Sequence, residues 1–420
     1  MHLISQYKGL PKQVYIICCA RIITAMGAFI FSFTTLLMTG ILGMSEIAAG
    51  YMSVASSITS LSGAVICGRL ADRYDRKRVL LMIFAVNTVN LFIGGMVVFR
   101  RLVLANILIQ SFCFSGFIPV LAAMISDVTV ETNRKESFSL LYLCINIGYS
   151  MGQVIAGQLF YNYTRWIFWG QGLAFLISGS VILFFLKDMP TIANIKHVQA
   201  MQKTSEPLPV YHASSVKKGS FIKAFLKDNV LVIFLLAIVL VQYSHAQISY
   251  LMPLQLSSLF GLEASAKWNS YMWFTNGVCC IVLTPILLNL TKRFSQVVNV
   301  AIAAITYVIG MGGFYFLRSE QNLWIILVFT VVWTAGEVLV STGTGVFIAD
   351  RAAPQYRASY QSLYSLSSDF GRCLGPLTMG YILLVCNYAQ GWIVTAAVSL
   401  VAVVILLFCY RMYRKEQVTK

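Results

Sequence analysis

Twelve stretches of this chain are almost free of charge and about twenty residues or more in length. They run over 12–38, 47–68, 79–99, 103–126, 137–160, 166–186, 229–252, 264–290, 296–317, 322–349, 358–385 and 388–410. A helix of about 20 apolar residues crosses the hydrocarbon core of a bilayer. In lipid, a helix satisfies its own backbone polar groups, which an open strand cannot do. The runs therefore predict an all-α polytopic membrane protein with twelve transmembrane helices. Composition agrees: 58% of the 420 residues are hydrophobic and only 11% are charged, with a mean hydropathy of +0.76. A soluble domain carries about 25% charged residues, so a soluble enzyme, a disordered chain and a secreted module are excluded. The first run is too long for a signal peptide and contains Arg21, so a retained first span is expected.

The net charge of +16 would suit a nucleic-acid binder, but its distribution points elsewhere. With both termini on one side, that side carries 24 Lys and Arg and the opposite side carries 5. This asymmetry places both termini in the cytoplasm. The expected location is a bacterial cytoplasmic membrane, with anionic headgroups as partners of the basic loops and no nucleic acid. The ten cysteines lie within or beside apolar runs and form no Cys-x-x-Cys pair, so they read as small packing residues. There is no Walker loop, nucleotide-binding glycine motif, metal-ligand cluster or recognisable nucleophile–base motif. The expectation is a protein that is not an enzyme, has no cofactor and draws on a proton gradient.

The longest polar stretch, 187–228, holds three prolines and seven basic residues and divides the runs six and six. The expected organisation is a six-helix bundle over 1–186, a cytoplasmic linker over 187–228, and a second bundle with a cytoplasmic tail over 229–420. The halves repeat. Asp127, Arg134, Gly148, Gly152 and Gly157 recur as Asp350, Arg357, Gly371, Gly375 and Gly380, each displaced by 223 residues without a gap. Duplicated bundles working about a site at mid-membrane are a transporter design.

With the repeat in view, the loop after the second run takes on meaning. Gly68-Arg69-Leu70-Ala71-Asp72-Arg73-Tyr74-Asp75-Arg76-Lys77-Arg78 resembles the loop motif of the major facilitator superfamily, with Asp75 where that family has its second Gly. The resemblance covers essentially the whole chain and implies two pseudo-symmetric six-helix bundles, alternating access and a monomer sufficient for the cycle. It also implies a gating role for Gly68, Asp72, Arg73, Arg76, Lys77 and Arg78, with Asp72 facing the start of the eleventh helix or a nearby Arg. By the same resemblance, Asp127 with Arg134 and Asp350 with Arg357 would brace neighbouring helices. The second copy of the loop keeps only Lys292-Arg293, so gating would rest mainly on the first half. Gly148-x3-Gly152 resembles the fifth-helix signature of drug:proton antiporters with Gln153 in place of Pro; Gly371-x3-Gly375-Pro376 is the fuller copy. Small residues on one face let helices approach closely in lipid.

The most informative residues are charges within the runs, each costing on the order of 3 kcal/mol or more when unpaired at mid-membrane. They are Arg21, Glu337, Asp369 and Arg372. Glu337 stands among apolar and small neighbours, where a carboxyl withdrawn from water can carry a proton. Arg21 or Arg372 would be its switchable partner, and a static ion pair is the rival reading. Asp369 is a second proton-coupling candidate, but it lies three residues from Arg372 and can pair with it on one helix face. Arg21 can orient an anionic group of a solute, pair with an acid, or snorkel toward the cytoplasmic headgroups. Tyr243, His245, Gln247, Asn146, Trp273, Asn276 and Trp333 add amide, aromatic and titratable groups. His245 reads as either a titrating group or a hydrogen-bonded packing residue. Together these suggest an amphipathic cavity for a moderately hydrophobic or cationic organic solute. Proton-coupled export of drugs or other amphipathic solutes is the first expectation. Proton-driven uptake of a small nutrient and a transport-silent receptor on the same fold remain alternatives.

Overall fold

A computed structural model describes residues 7–186, 225, 227–351 and 357–419. Among the described residues the chain forms long helices at all twelve apolar runs and no strand. They are α1 (Lys12–Ile41), α2 (Glu46–Arg73), α3 (Arg76–Val97), α4 (Val103–Val128), α5 (Glu131–Phe160) and α6 (Thr164–Phe185). The second set is α7 (229–260), α8 (262–291), α9 (Gln296–Gly313), α10 (Trp324–Arg351), α11 (Arg357–Ile382) and α12 (Tyr388–Thr419). α7 and α8 are separated only by Gly261, whose φ of 80° lies where a side chain is disfavoured. α11 is as long as the others but the least apolar, because it carries Asp369, Arg372 and a run of hydroxyl residues. The outer faces show large apolar side chains; on α12, Leu400, Val401, Val404, Leu407 and Phe408 are all exposed. Such a surface needs lipid around it. The 187–228 linker lies almost wholly outside the described residues.

Contacts divide the chain into two units, Met1–Gly43 with Ala55–Pro209, and Met44–Val54 with Val210–Lys420. The division therefore differs from a cut at the linker alone, because the first turns of α2 group with the second unit. There, the Tyr250 hydroxyl donates to the Glu46 carbonyl at 2.5 Å, the Tyr388 hydroxyl donates to the Glu46 carboxylate, and the Tyr51 and Tyr381 hydroxyls lie 2.6 Å apart.

In the first unit, Phe84, Phe117 and Phe175 pack edge to face with centroids 5.1–5.8 Å apart and knit α3, α4 and α6. Asp75 caps α3, its carboxylate accepting from the Arg78 amide at 2.9 Å. The residue that departs from the family's loop pattern thus starts the next helix. Lys77 donates to the carbonyls of Leu183 and Leu186 at 3.1 and 2.7 Å and satisfies the open end of α6.

The repeated glycines do the same job twice. A Cβ on Gly148 or Gly152 would lie 2.4 or 2.0 Å from the carbonyl oxygens of Ile22 or Met26 on α1. A Cβ on Gly371 or Gly375 would lie 2.3 or 2.8 Å from those of Val239 or Tyr243 on α7. α5 presses its backbone on α1 as α11 does on α7, with corresponding residues at both contacts.

α1 is interrupted. Its regular turns stop at Met26 and restart at Phe29, with Ala28 at φ −76°, ψ 57°. Two fully buried glutamines repair the gap: Gln153 of α5 donates to the Ala28 carbonyl at 3.1 Å, and the Ile30 amide donates to Gln171 of α6 at 3.1 Å. A break at membrane depth persists only where buried protein groups satisfy the freed backbone. Gln153, where the antiporter signature has Pro, is one of those groups.

Candidate functional site

Glu337 is central to the 28-residue α10, about 20 Å from either end at 1.5 Å per residue. Gly336 beside it admits α9 closely, since a Cβ there would meet Ala303 O at 2.8 Å. Asn276 of α8 donates to Glu337 Oε2 at 2.6 Å, and its amide nitrogen lies 3.0 Å from Thr334 Oγ1. His245 of α7 places Nε2 3.6 Å from Glu337 Oε1, an ion-pairing distance but too long for a good hydrogen bond. The Cys280 thiol lies 3.8 Å from Oε2. The carboxyl is packed deep among these helices, yet 29% of its side-chain surface is accessible.

Aromatic rings line the imidazole. Tyr307 of α9 stacks on His245 with centroids 6.2 Å apart, and Trp333 meets it edge-on at 5.7 Å. Trp273 continues the row at 6.1 Å from Trp333. Among the described residues the buried Trp333 indole N–H has no partner, and neither has either amide atom of Gln247. Buried polar atoms are nearly always paired, so such exceptions call for a water or ligand group. α7 also supplies Tyr243, whose hydroxyl lies 3.1 Å from Thr378 of α11.

Several expected pairings are replaced by others. Glu337 is not ion-paired with an arginine among the described residues; His245 and Asn276 hold it. Arg372 donates to Gln242 Oε1 at 3.2 Å and forms no ion pair with Asp369, although the two share a helix face. His245 therefore belongs with the carboxyl rather than with plain packing. Asn146 donates to the Tyr142 carbonyl of its own helix at 2.9 Å.

In the first unit, Asp127 pairs with Arg76 at 2.5 Å instead of with Arg134. Arg76 also donates to the Ala123 carbonyl at 2.9 Å, tying the start of α3 to the end of α4. Arg134 reaches the carbonyls of Thr129 and Ser126 at 3.2 and 3.4 Å, capping the end of α4. Asp72 is exposed and forms no ion pair among the described residues. Gly68 is close to Pro119, and Arg73 and Arg78 are exposed. The side chains of Asp350 and Arg357 lie outside the described residues. Beside them, Arg351 holds Asp228 with Nε at 2.9 Å and Nη2 at 2.6 Å, and Glu416 at 3.0 Å. Burial works against the charged Arg351, but the two carboxylates outweigh it and raise its pKa. This clamp on the ends of α7, α10 and α12 was not expected from the sequence. Asp228 three residues before the Leu231 amide that it caps was its readable half.

A lipid-embedded helical protein with a duplicated packing scheme and a carboxyl–imidazole pair in mid-span is built as a membrane transporter. The profile of the Major Facilitator Superfamily matches residues 17–376 and 274–420, and the chain belongs to that family. It is a secondary transporter and not an enzyme. It is 23% identical over 395 residues to an uncharacterized MFS-type transporter, YqjV, of Bacillus subtilis, covering 91% of this chain and 90% of that one. It is 21% identical to a Na(+), Li(+), K(+)/H(+) antiporter of Planococcus maritimus, covering 88% and 89%. Multidrug resistance protein 1 of Bacillus subtilis is also 21% identical, over 81% and 82%. Among solved structures, the nucleoside transporter NupG superposes with a TM-score of 0.75 at 14% identity, covering 95% of this chain and 99% of that one. The POT family transporter PepTSo reaches 0.74 at 14%, covering 96% and 99%. At that identity the likeness concerns the fold.

Proposed function

We propose that this chain exports amphipathic small solutes in exchange for protons, with Glu337 as the proton-carrying group and His245 as its switchable partner. The observation that carries the reading is the 3.6 Å approach of His245 to a partly accessible carboxyl at the centre of α10. Ionised Glu337 is held by the Asn276 amide and attracts the imidazole. A proton taken up on Glu337 removes that attraction and leaves a neutral acid, whose burial costs far less. Each protonation state therefore favours a different set of contacts among α7, α8 and α10, and a transporter needs two states biased by its ligands. The long His245 contact suits a pair that parts in every cycle. Trp273, Trp333, Tyr307 and Gln247 are buried here; a solute meets their rings and polar groups when the helices part during the cycle. The antiporter and multidrug names of two relatives agree with this reading. Both termini are assigned to the cytoplasm, where exposed Arg69, Arg73 and Arg78 meet anionic headgroups. The coupling role of Asp369 is subordinate, since among the described residues no hydrogen bond or ion pair joins it to Glu337, and only the Arg372 charge acts on both carboxyls.

Proteoliposomes with an imposed pH gradient test the proposal. Glu337→Gln should lose nearly all gradient-driven flux of a hydrophobic dye while still exchanging dye down its own gradient. Full gradient-driven flux in Glu337→Gln would overturn it.

A further inference from the structure

Arg21 is 7% exposed on α1, yet no carboxylate neutralises it. No acid among the described residues acts on it. Of the acids in its own unit whose side chains are described, Asp75 caps α3, Asp127 pairs with Arg76, Asp72 is exposed, and Glu136 lies about three turns along α5 from Gly148, the residue that meets α1 at Ile22. Among the described residues its guanidinium has one hydrogen bond, from Nη1 to Thr24 Oγ1 at 3.2 Å. Thr24 lies one turn further along α1, toward the break at Gly27. The guanidinium is therefore turned into the helix bundle rather than back toward the N-terminal end, which removes the snorkelling alternative. Phe117 and Phe114 of α4 lie with ring centroids 5.0 and 6.0 Å from its central carbon. These rings stabilise the cation by roughly 0.5–2 kcal/mol but carry no charge to cancel it. None of the guanidinium nitrogens is both sealed from water and unpartnered. Nε and Nη2 thus keep accessible surface, within the 7% that the residue exposes, and have donors left to offer.

We propose that Arg21 seats the anionic group of an organic solute, a carboxylate, whose apolar body lies along Phe114 and Phe117. This rests on the solute-transport reading and narrows its substrate class from amphipathic solutes in general to aromatic or aliphatic acids. A buried guanidinium without a counter-charge is costly at membrane depth, and a planar fork of donors matches a carboxylate with two parallel bonds. The ring wall makes an apolar acid a better fit than a bare inorganic anion.

The test uses the purified full-length chain in detergent, with 2-naphthoate as probe and 2-naphthylmethylammonium and sodium sulfate as comparisons. Binding is read by tryptophan fluorescence and by the shift in thermal unfolding. 2-Naphthoate should bind the wild type, while the ammonium analogue and sulfate should not. Arg21→Gln should bind 2-naphthoate at least about tenfold more weakly, the usual worth of a charged hydrogen bond. Arg21→Lys should keep part of the affinity, and an unchanged unfolding temperature without ligand shows that the variants are folded. This binding measurement carries no pH gradient, so failure of proton coupling, read in the flux assay, and failure of the anion seat are told apart. The proposal is overturned if 2-naphthoate does not bind, if sulfate or the ammonium analogue binds equally well, or if Arg21→Gln retains the affinity.

Discussion

The contact of α5 on α1 at Gly152 invites a direct perturbation. A Cβ there would stand 2.0 Å from the Met26 carbonyl oxygen, 2.7 Å from its carbon and 2.9 Å from its Cα. All three neighbours are backbone, so no side chain can swing aside. Ordinary contact begins at 3.4 Å, so Gly152→Ala must part the two helices locally by about 1.4 Å. That shift would also strain the adjacent Gln153 bond to Ala28 and the repaired break in α1. Overpacking of this kind costs about 1–3 kcal/mol. Gly179→Ala on α6 is the control: its Cβ would meet Phe84 at 3.6 Å, an ordinary contact. Relieving a mid-helix glycine there should stabilise by up to about 1 kcal/mol. The two variants should therefore differ by roughly 1–4 kcal/mol. Unfolding followed by fluorescence in detergent at one scan rate should show Gly152→Ala melting several degrees below the wild type, with Gly179→Ala at or above it. Equal melting of the two variants would refute a backbone-to-backbone contact between α1 and α5.

Two further outcomes follow from the same packing. Gln153→Leu strands the Ala28 carbonyl in the core and should cost about 1–3 kcal/mol, seen as a lower unfolding temperature; wild-type stability would mean that the break in α1 is satisfied otherwise. Asp75→Ala should destabilise by about 1 kcal/mol and Asp75→Gly by only a few tenths, so equal losses in thermal unfolding would dismiss a capping role for Asp75.

Read along the chain, the apolar runs specify the number of helices, because crossing a bilayer demands a minimum length whatever the neighbours are. The 223-residue displacement likewise marks Gly148, Gly152, Gly371 and Gly375 as equivalent, and a glycine needed for close approach stays visible as a glycine. The unusual positions of Arg21 and Glu337 were legible too, since a charge inside an apolar run stands out without knowledge of its surroundings. What covers or pairs with them was not. Spacing within one helix favoured Asp369 with Arg372 and, through the family pattern, Asp127 with Arg134. The folded chain instead gives Arg372 to Gln242 and Asp127 to Arg76, each on another helix. Glu337 finds His245 and Asn276 on α7 and α8, and Gln153, marked in the sequence only as a departure from Pro, mends a gap in α1. Helical periodicity says which residues share a face. Which two faces meet is decided by helix crossing and rotation, set by glycine contacts and core rings far apart in the chain, so the partners of the buried charges exist only in three dimensions.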